Sequence, residues 1–246
     1  MFRKARTTMQ RLFVATVLCA AVVLAGCSSS DNGTVNIPTA GPEITTTPTP
    51  LLKDPVVTGQ VVRAETTKPL FDGTVETLWA LTKQIPFADT LRGEGDTKGW
   101  FSFLWDEDYV YVLVHVSDNT YDTGAESFYG RDGVMVFLNE DGRKNLRYTV
   151  GDAFYAIDRD GYAYLGTGAT DEGFRAITFD DGTGTGYYAE FRLPLRTITG
   201  RYDLEMGFDV RVNNAFEGHE VHVIQWADLS GYTDITMTGV GTIRLD

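Results

Sequence analysis

Trp100-Phe101-Ser102-Phe103-Leu104-Trp105, then Asp106-Glu107-Asp108, then Tyr109-Val110-Tyr111-Val112-Leu113-Val114-His115-Val116. Aromatic and β-branched residues fill both runs, and three acidic residues separate them, so the stretch reads as a β-hairpin. The return run is almost continuously apolar rather than alternating. A strand of that kind is buried on both faces and lies centrally in its sheet.

Working outward, further strands are expected at Gly133–Asn139, Arg147–Ile157, Phe174–Phe179, Tyr187–Leu193, Glu205–Asn213, Glu220–Trp226 and Gly239–Leu245. Asp141-Gly142, Asp160-Gly161 and Asp181-Gly182 mark turns between them. No window carries a long helical period. Many short strands at regular turn spacing predict an all-β fold, an antiparallel β-sandwich over residues 56–246.

The N-terminal part reads differently. Arg3, Lys4, Arg6 and Arg11 precede an uncharged, mostly apolar run from Leu12 to Leu24, followed by Ala25-Gly26-Cys27. A basic start, a short apolar run and small residues make a secretory signal over residues 1–26; the run falls short of the ~20 residues of a spanning helix. Leu24-Ala25-Gly26-Cys27 resembles the bacterial lipobox, which implies lipidation of Cys27. Ser28 then favours an outer-membrane anchor where the cell has an outer membrane. Residues 27–55 are rich in Ser, Thr, Pro, Gly and Asn, with Thr45-Thr46-Thr47-Pro48-Thr49-Pro50 unable to form a helix or a central strand. They are expected to form a linker, roughly 85 Å long at full extension.

The whole chain carries 21 Lys and Arg against 34 Asp and Glu. Loss of residues 1–26 removes four basic residues and no acidic ones, so the exported part is more acidic still. Such a surface repels nucleic acid and anionic lipid. Of the two cysteines, Cys19 leaves with the signal and Cys27 is the lipidation site, so a packed core rather than a disulfide must stabilise the domain.

Several motifs, in order, resemble the family 9 carbohydrate-binding modules and the wider DOMON-like sandwiches. They are Phe71-Asp72-Gly73-Thr74-Val75-Glu76-Thr77-Leu78-Trp79; Leu104-Trp105-Asp106-Glu107-Asp108-Tyr109-Val110-Tyr111-Val112; Arg131-Asp132-Gly133-Val134-Met135-Val136-Phe137-Leu138; Gly207-Phe208-Asp209-Val210-Arg211-Val212-Asn213-Asn214; and Gly241-Thr242-Ile243-Arg244-Leu245. The resemblance implies a non-catalytic carbohydrate-binding module. Its two sugar-stacking positions fall on Tyr129 and Tyr232, and Arg131, Asp132 and Asp158 supply polar contacts, with Trp226 a further candidate. Tyrosine offers less area than tryptophan, so weaker stacking is expected. Two departures stand out: Met135 replaces the family's strand glutamate, and Ala156 its basic residue. Trp79 and Trp105 are expected in the core.

Family members carry structural calcium, so the clusters Asp106/Glu107/Asp108, Glu140/Asp141, Asp158/Asp160, Asp171/Glu172 and Asp180/Asp181 are candidates, although none has EF-hand spacing. DOMON-like cytochromes hold haem between a Met and a His or Lys, which makes His115 and Met135 an alternative pair; a hydrogen-bonded core histidine and a packing methionine are the plainer reading. His219 and His222 alternate in a strand and need a bend to share zinc. Carboxylates are plentiful, but no pair is singled out as catalytic. The expected role is carbohydrate binding by a lipid-anchored protein that supports carbohydrate catabolism. An envelope protein whose fold has lost its ligand is the remaining alternative.

Overall fold

The computed structural model describes residues 56–63, as backbone, and 68–246. The signal segment, Cys27 and the linker lie outside the described residues. The strands in chain order are β1 (Val56–Arg63), β2 (Ile85–Phe87), β3 (Thr90–Gly93), β4 (Lys98–Trp105), β5 (Tyr109–Ser117), β6 (Gly133–Asn139) and β7 (Asp152–Asp158). Then come β8 (Ala163–Leu165), β9 (Arg175–Asp180), β10 (Gly186–Pro194), β11 (Glu205–Phe216), β12 (His219–Gln225) and β13 (Gly241–Leu245). One-turn 3-10 helices occupy Thr77–Leu81 and Phe128–Gly130.

The expected hairpin is β4–β5, paired from Lys98 opposite Ser117 to Trp105 opposite Val110. Its acidic turn is held by one side chain. Asp106 Oδ1 accepts the N–H groups of Asp108 at 2.9 Å and Tyr109 at 2.8 Å, while Oδ2 accepts the Tyr111 hydroxyl at 2.8 Å. An aspartate at this turn position supplies acceptors that no strand partner provides.

Two sheets pack as a β-sandwich. The first runs β8-β7-β6-β11-β13, with β12 on the far half of β11 and β3 beyond it; the second runs β2-β4-β5-β10-β9. All these pairs are antiparallel. β1, which the sequence reading did not identify as a strand, pairs parallel to both β13 and β4 and so joins the sheets.

Between the sheets, Phe101, Phe103 and Trp105 of β4 and the valines at 110, 112, 114 and 116 of β5 meet Phe208, Val210 and Val212 of β11 and Val134, Val136 and Leu138 of β6. Each large side chain buried in this way contributes about 1.5–3 kcal/mol. Two outward residues of β5 are covered too: Tyr111 and Leu113 pack with Leu104 under Phe71 and Trp79. That cover is why the return strand reads as a continuous apolar run. Trp79 and Trp105 are core residues, as expected, at 5% and 1% exposed. The strand expected over Arg147–Ile157 begins only at Asp152, whose Oδ2 accepts the Thr149 N–H and hydroxyl and so makes residues 149–152 a turn.

Candidate functional site

Tyr129 sits on the one-turn helix that leads into β6, and Tyr232 in the loop between β12 and β13. The Tyr129 hydroxyl donates to Asp234 Oδ2 at 3.1 Å, a contact across 105 residues of sequence. Both rings stay accessible, at 40% and 61% exposed. Burial, then the Asp234 charge, raises the Tyr129 hydroxyl above its usual range, so it is a neutral donor.

A buried polar chain fixes the loop. Arg211, fully enclosed on β11, donates from Nη1 to Asp234 Oδ1 at 3.0 Å and from Nε to Gln225 Oε1 at 2.8 Å. Gln225 Nε2 donates in turn to Asp209 Oδ2 and Thr233 Oγ1, both at 2.7 Å. Asp209 also accepts the N–H groups of Ala227 and Asp228. These bonds tie the loop to β11 and β12, while Arg211 Nη2 is buried without a hydrogen-bond partner. At the rim, Arg92 Nε and Glu220 Oε1 pair at 3.1 Å, and burial raises the Glu220 carboxyl.

Arg131 lies on the other side of Phe128. Its Nη1 donates to Asp158 Oδ2 at 2.7 Å, and its guanidinium lines a cleft of about 440 Å³ with Thr123, Asp160, Tyr162 and Tyr164. Phe128 separates the two places: its ring contacts Tyr129 at 6.1 Å and Tyr164 at 4.7 Å.

Three expected contacts are corrected. Asp132 has no exposed surface; its oxygens accept the N–H groups of Asp122 and Ala215, both at 2.7 Å, and burial pushes its pKa up to about 6. It ties a loop to β11. Asp158 is equally buried, with Oδ1 accepting the N–H groups of Asp160 and Tyr162 in the β7–β8 turn. Trp226 packs inside, 5.0 Å from Phe101 between ring centres. The carboxylate oxygens of Asp132 and Asp158 are all engaged within the fold, and the Trp226 ring packs in the core. Met135 and Ala156, the two departures, are each 1% exposed in an apolar cluster with Phe128, Phe137, Met237 and Val240. The sequence reading missed Asp234, Arg211, Arg92, Glu220, Tyr162 and Tyr164, because their roles depend on contacts between distant segments. The Gly207–Asn214 motif that contains Arg211 was the one available signal.

The metal and haem readings meet specific geometry. Within the acidic clusters, Asp106 serves its turn, and Glu140 accepts the backbone N–H groups of Arg196 and Thr197. Asp160 accepts the hydroxyls of Tyr121 and Thr123, and Asp181 those of Thr183 and an imidazole nitrogen of His115. Among the described residues no three His, Cys, Asp or Glu side chains gather around a common point. His115 points outward from the second sheet and Met135 outward from the first. Two sheets lie between them, and packed sheets are about 10 Å apart, so one haem iron cannot take both. His222 is buried with Nε2 on Thr90 Oγ1 at 3.1 Å, and His219 is exposed at the start of β12.

The domain is a sandwich that presents two exposed tyrosine rings beside a buried polar chain. Residues 71–246 match the model of the carbohydrate family 9 binding domain-like family. The chain belongs to that family, and the domain is a non-catalytic carbohydrate-binding module. It is 29% identical over 187 residues to endo-1,4-beta-xylanase A of Thermoanaerobacterium saccharolyticum, covering 76% of this chain and 16% of the relative. It is 28% identical to exoglucanase XynX of Acetivibrio thermocellus, covering 76% and 17%. The chain thus spans under a fifth of these relatives. A family 9 carbohydrate binding module from Caldicellulosiruptor kristjanssonii, solved with cellotriose, superimposes with a TM-score of 0.69 at 23% identity, over 76% of this chain and 94% of that one.

Proposed function

We propose that this domain binds the pyranose units of a neutral β-1,4-linked saccharide at the Tyr129–Tyr232 rim. The rings stack on sugar C–H faces, and Asp234, Glu220 and Arg92 meet the hydroxyls. The observation that carries the reading is the Tyr129–Asp234 hydrogen bond, which brings the two tyrosine segments into one rim. The cellotriose-bound structural neighbour and the xylanase and exoglucanase relatives support this ligand class. Arg131 extends the reading, since its cleft has two further tyrosines beside it. The accompanying proposal is that residues 1–26 direct export and Cys27 carries a lipid anchor in the outer membrane. Residues 27–55 then hold the module off the bilayer in support of carbohydrate catabolism.

Calorimetric titration with cellotriose and xylotriose tests the site. Saturable heat that weakens about fivefold in Tyr232→Ala, the ~1 kcal/mol of an aromatic contact, supports it. Equal affinity in the two proteins removes Tyr232 from the site. The enclosed positions of Met135 and Ala156 favour the second reading, a fold whose ligand site has closed; absence of binding across both sugars would decide for it.

A further inference from the structure

We propose a second saccharide-binding cleft on the outward face of the second sheet, built on Trp100 and His115. It takes a short stretch of a neutral polysaccharide chain. The cleft has a volume of about 520 Å³, and Pro86, Asp89, Lys98, Trp100, His115 and Ser117 line it. That size is within the ~300–1,000 Å³ typical of small-molecule sites. It shares no residue with the Tyr129–Tyr232 rim and belongs to the other sheet.

Strand register builds it. Pro86 of β2 pairs with Trp100 of β4, Trp100 with His115 of β5, and His115 with Tyr188 of β10, so one row crosses four strands. The neighbours of Trp100 and His115 along their strands, Phe101, Val114 and Val116, face the core. Period-two alternation therefore turns the row outward. The cover made by Phe71 and Trp79 lies over Leu104, Tyr111 and Leu113, and leaves Trp100 and His115 partly open.

The chemistry suits a sugar. The Trp100 and His115 rings stack at 5.5 Å and 23°, and the Tyr188 ring closes in at 4.8 Å from His115. Asp181 Oδ2 holds His115 Nε2 at 3.0 Å, which fixes the imidazole plane and leaves Nδ1 for a hydroxyl. The indole offers an apolar face for pyranose C–H groups. Lys98 and Ser117, which carry an ammonium and a hydroxyl, line the cleft beside it and suit sugar O–H groups. The core of a protein–protein interface is depleted of charge, unlike this mixture. The chain's net charge of −13 disfavours a polyanion. Two sites on one anchored module would engage a long polymer with avidity that a short oligosaccharide cannot show.

Trp100 reports on its own cleft. Of the four tryptophans, Trp79, Trp105 and Trp226 are buried, at 5%, 1% and 7% exposed, so acrylamide quenching of the full chain in detergent reads chiefly Trp100. Quenching is followed as cellohexaose or xylohexaose is added to the native protein, to Lys98→Ala and to the double variant Tyr129→Ala/Tyr232→Ala. The expected result is saturable protection of tryptophan in the native protein and in the double variant, with the midpoint raised several-fold in Lys98→Ala. Lys98 is exposed, so that variant does not depend on core packing. Two results overturn the proposal: quenching unchanged by either sugar at millimolar concentration, or protection that disappears in the double variant. If neither sugar protects Trp100 but Tyr232→Ala still weakens binding in the calorimeter, the rim stands alone.

Discussion

Glu190→Gln is expected to flatten the decline in stability of this domain between pH 6.5 and 8.5. Glu190 sits at the centre of β10, opposite Leu113 and Ile177, with no exposed surface. Its only partner among the described residues is Trp79, whose Nε1–H donates to Oε1 at 3.2 Å; Oε2 has none. Burial, reinforced by the charges of Glu76 and Asp72, pushes its pKa up to about 8. The unfolded chain ionises this side chain near the usual ~4.3. Between the two values the folded state holds a proton that the unfolded state has lost. The contribution is therefore fully present below the unfolded pKa and disappears as pH rises through 8. At ~1.36 kcal/mol per pH unit, the loss from pH 6.5 to 8 is about 2 kcal/mol. That is roughly 4–8 °C of melting temperature for a domain of this size. The window isolates the group. Asp132 and Asp209, raised to about 6, finish most of their decline below it. Buried His222, lowered from its ordinary value, acts with opposite sign and also below it, whereas burial raises the hydroxyls of Tyr111, Tyr148 and Tyr187 above their ordinary value. Glutamine keeps the shape and an acceptor for Trp79 without the charge. Urea unfolding of both proteins at pH 6, 7, 8 and 9 measures the difference. Parallel stability profiles across that range would refute the argument.

Other perturbations separate the roles described above. Arg211→Met should cost about 3 kcal/mol or more, because it leaves Asp234 and Gln225 without their buried partner; a urea midpoint close to that of the native protein would contradict the account of the loop. Phe208→Ala should cost about 3–5 kcal/mol through the cavity left beside Phe103 and Trp226, and a much smaller value would mean that the two sheets close around the space. EDTA should leave the melting temperature unchanged, since the acidic clusters serve turns and loops; a fall reversed by calcium would locate a metal that those clusters do not explain. Cys27→Ser should abolish incorporation of a radiolabelled fatty acid in cells, and continued labelling would move the anchor elsewhere.

The hairpin, the order of strands and the core tryptophans at 79 and 105 were legible because they depend on local signals. Side-chain alternation, acidic turns and five motifs in sequence order each act over a few residues. Strand β1 was not legible: its valines sit beside a Pro- and Thr-rich stretch, and its parallel pairing uses partners far along the chain. The site was read in part. Tyr129 and Tyr232 are exposed, but Asp132, Asp158 and Trp226 belong to the fold. In a linear motif, an aspartate that ties down a loop and one that meets a sugar look alike.

The sequence by itself determined a two-sided strand pattern, hence a sandwich, and an acidic, aromatic chain suited to a neutral or cationic ligand. Only the tertiary structure decided which polar groups are already taken. A carboxylate's role depends on whether backbone N–H groups reach it first, and for Asp132 they come from residues 10 and 83 positions away. It also decided that His115 and Met135 face opposite sides, because the parity of each strand is set by the sheet against which it packs.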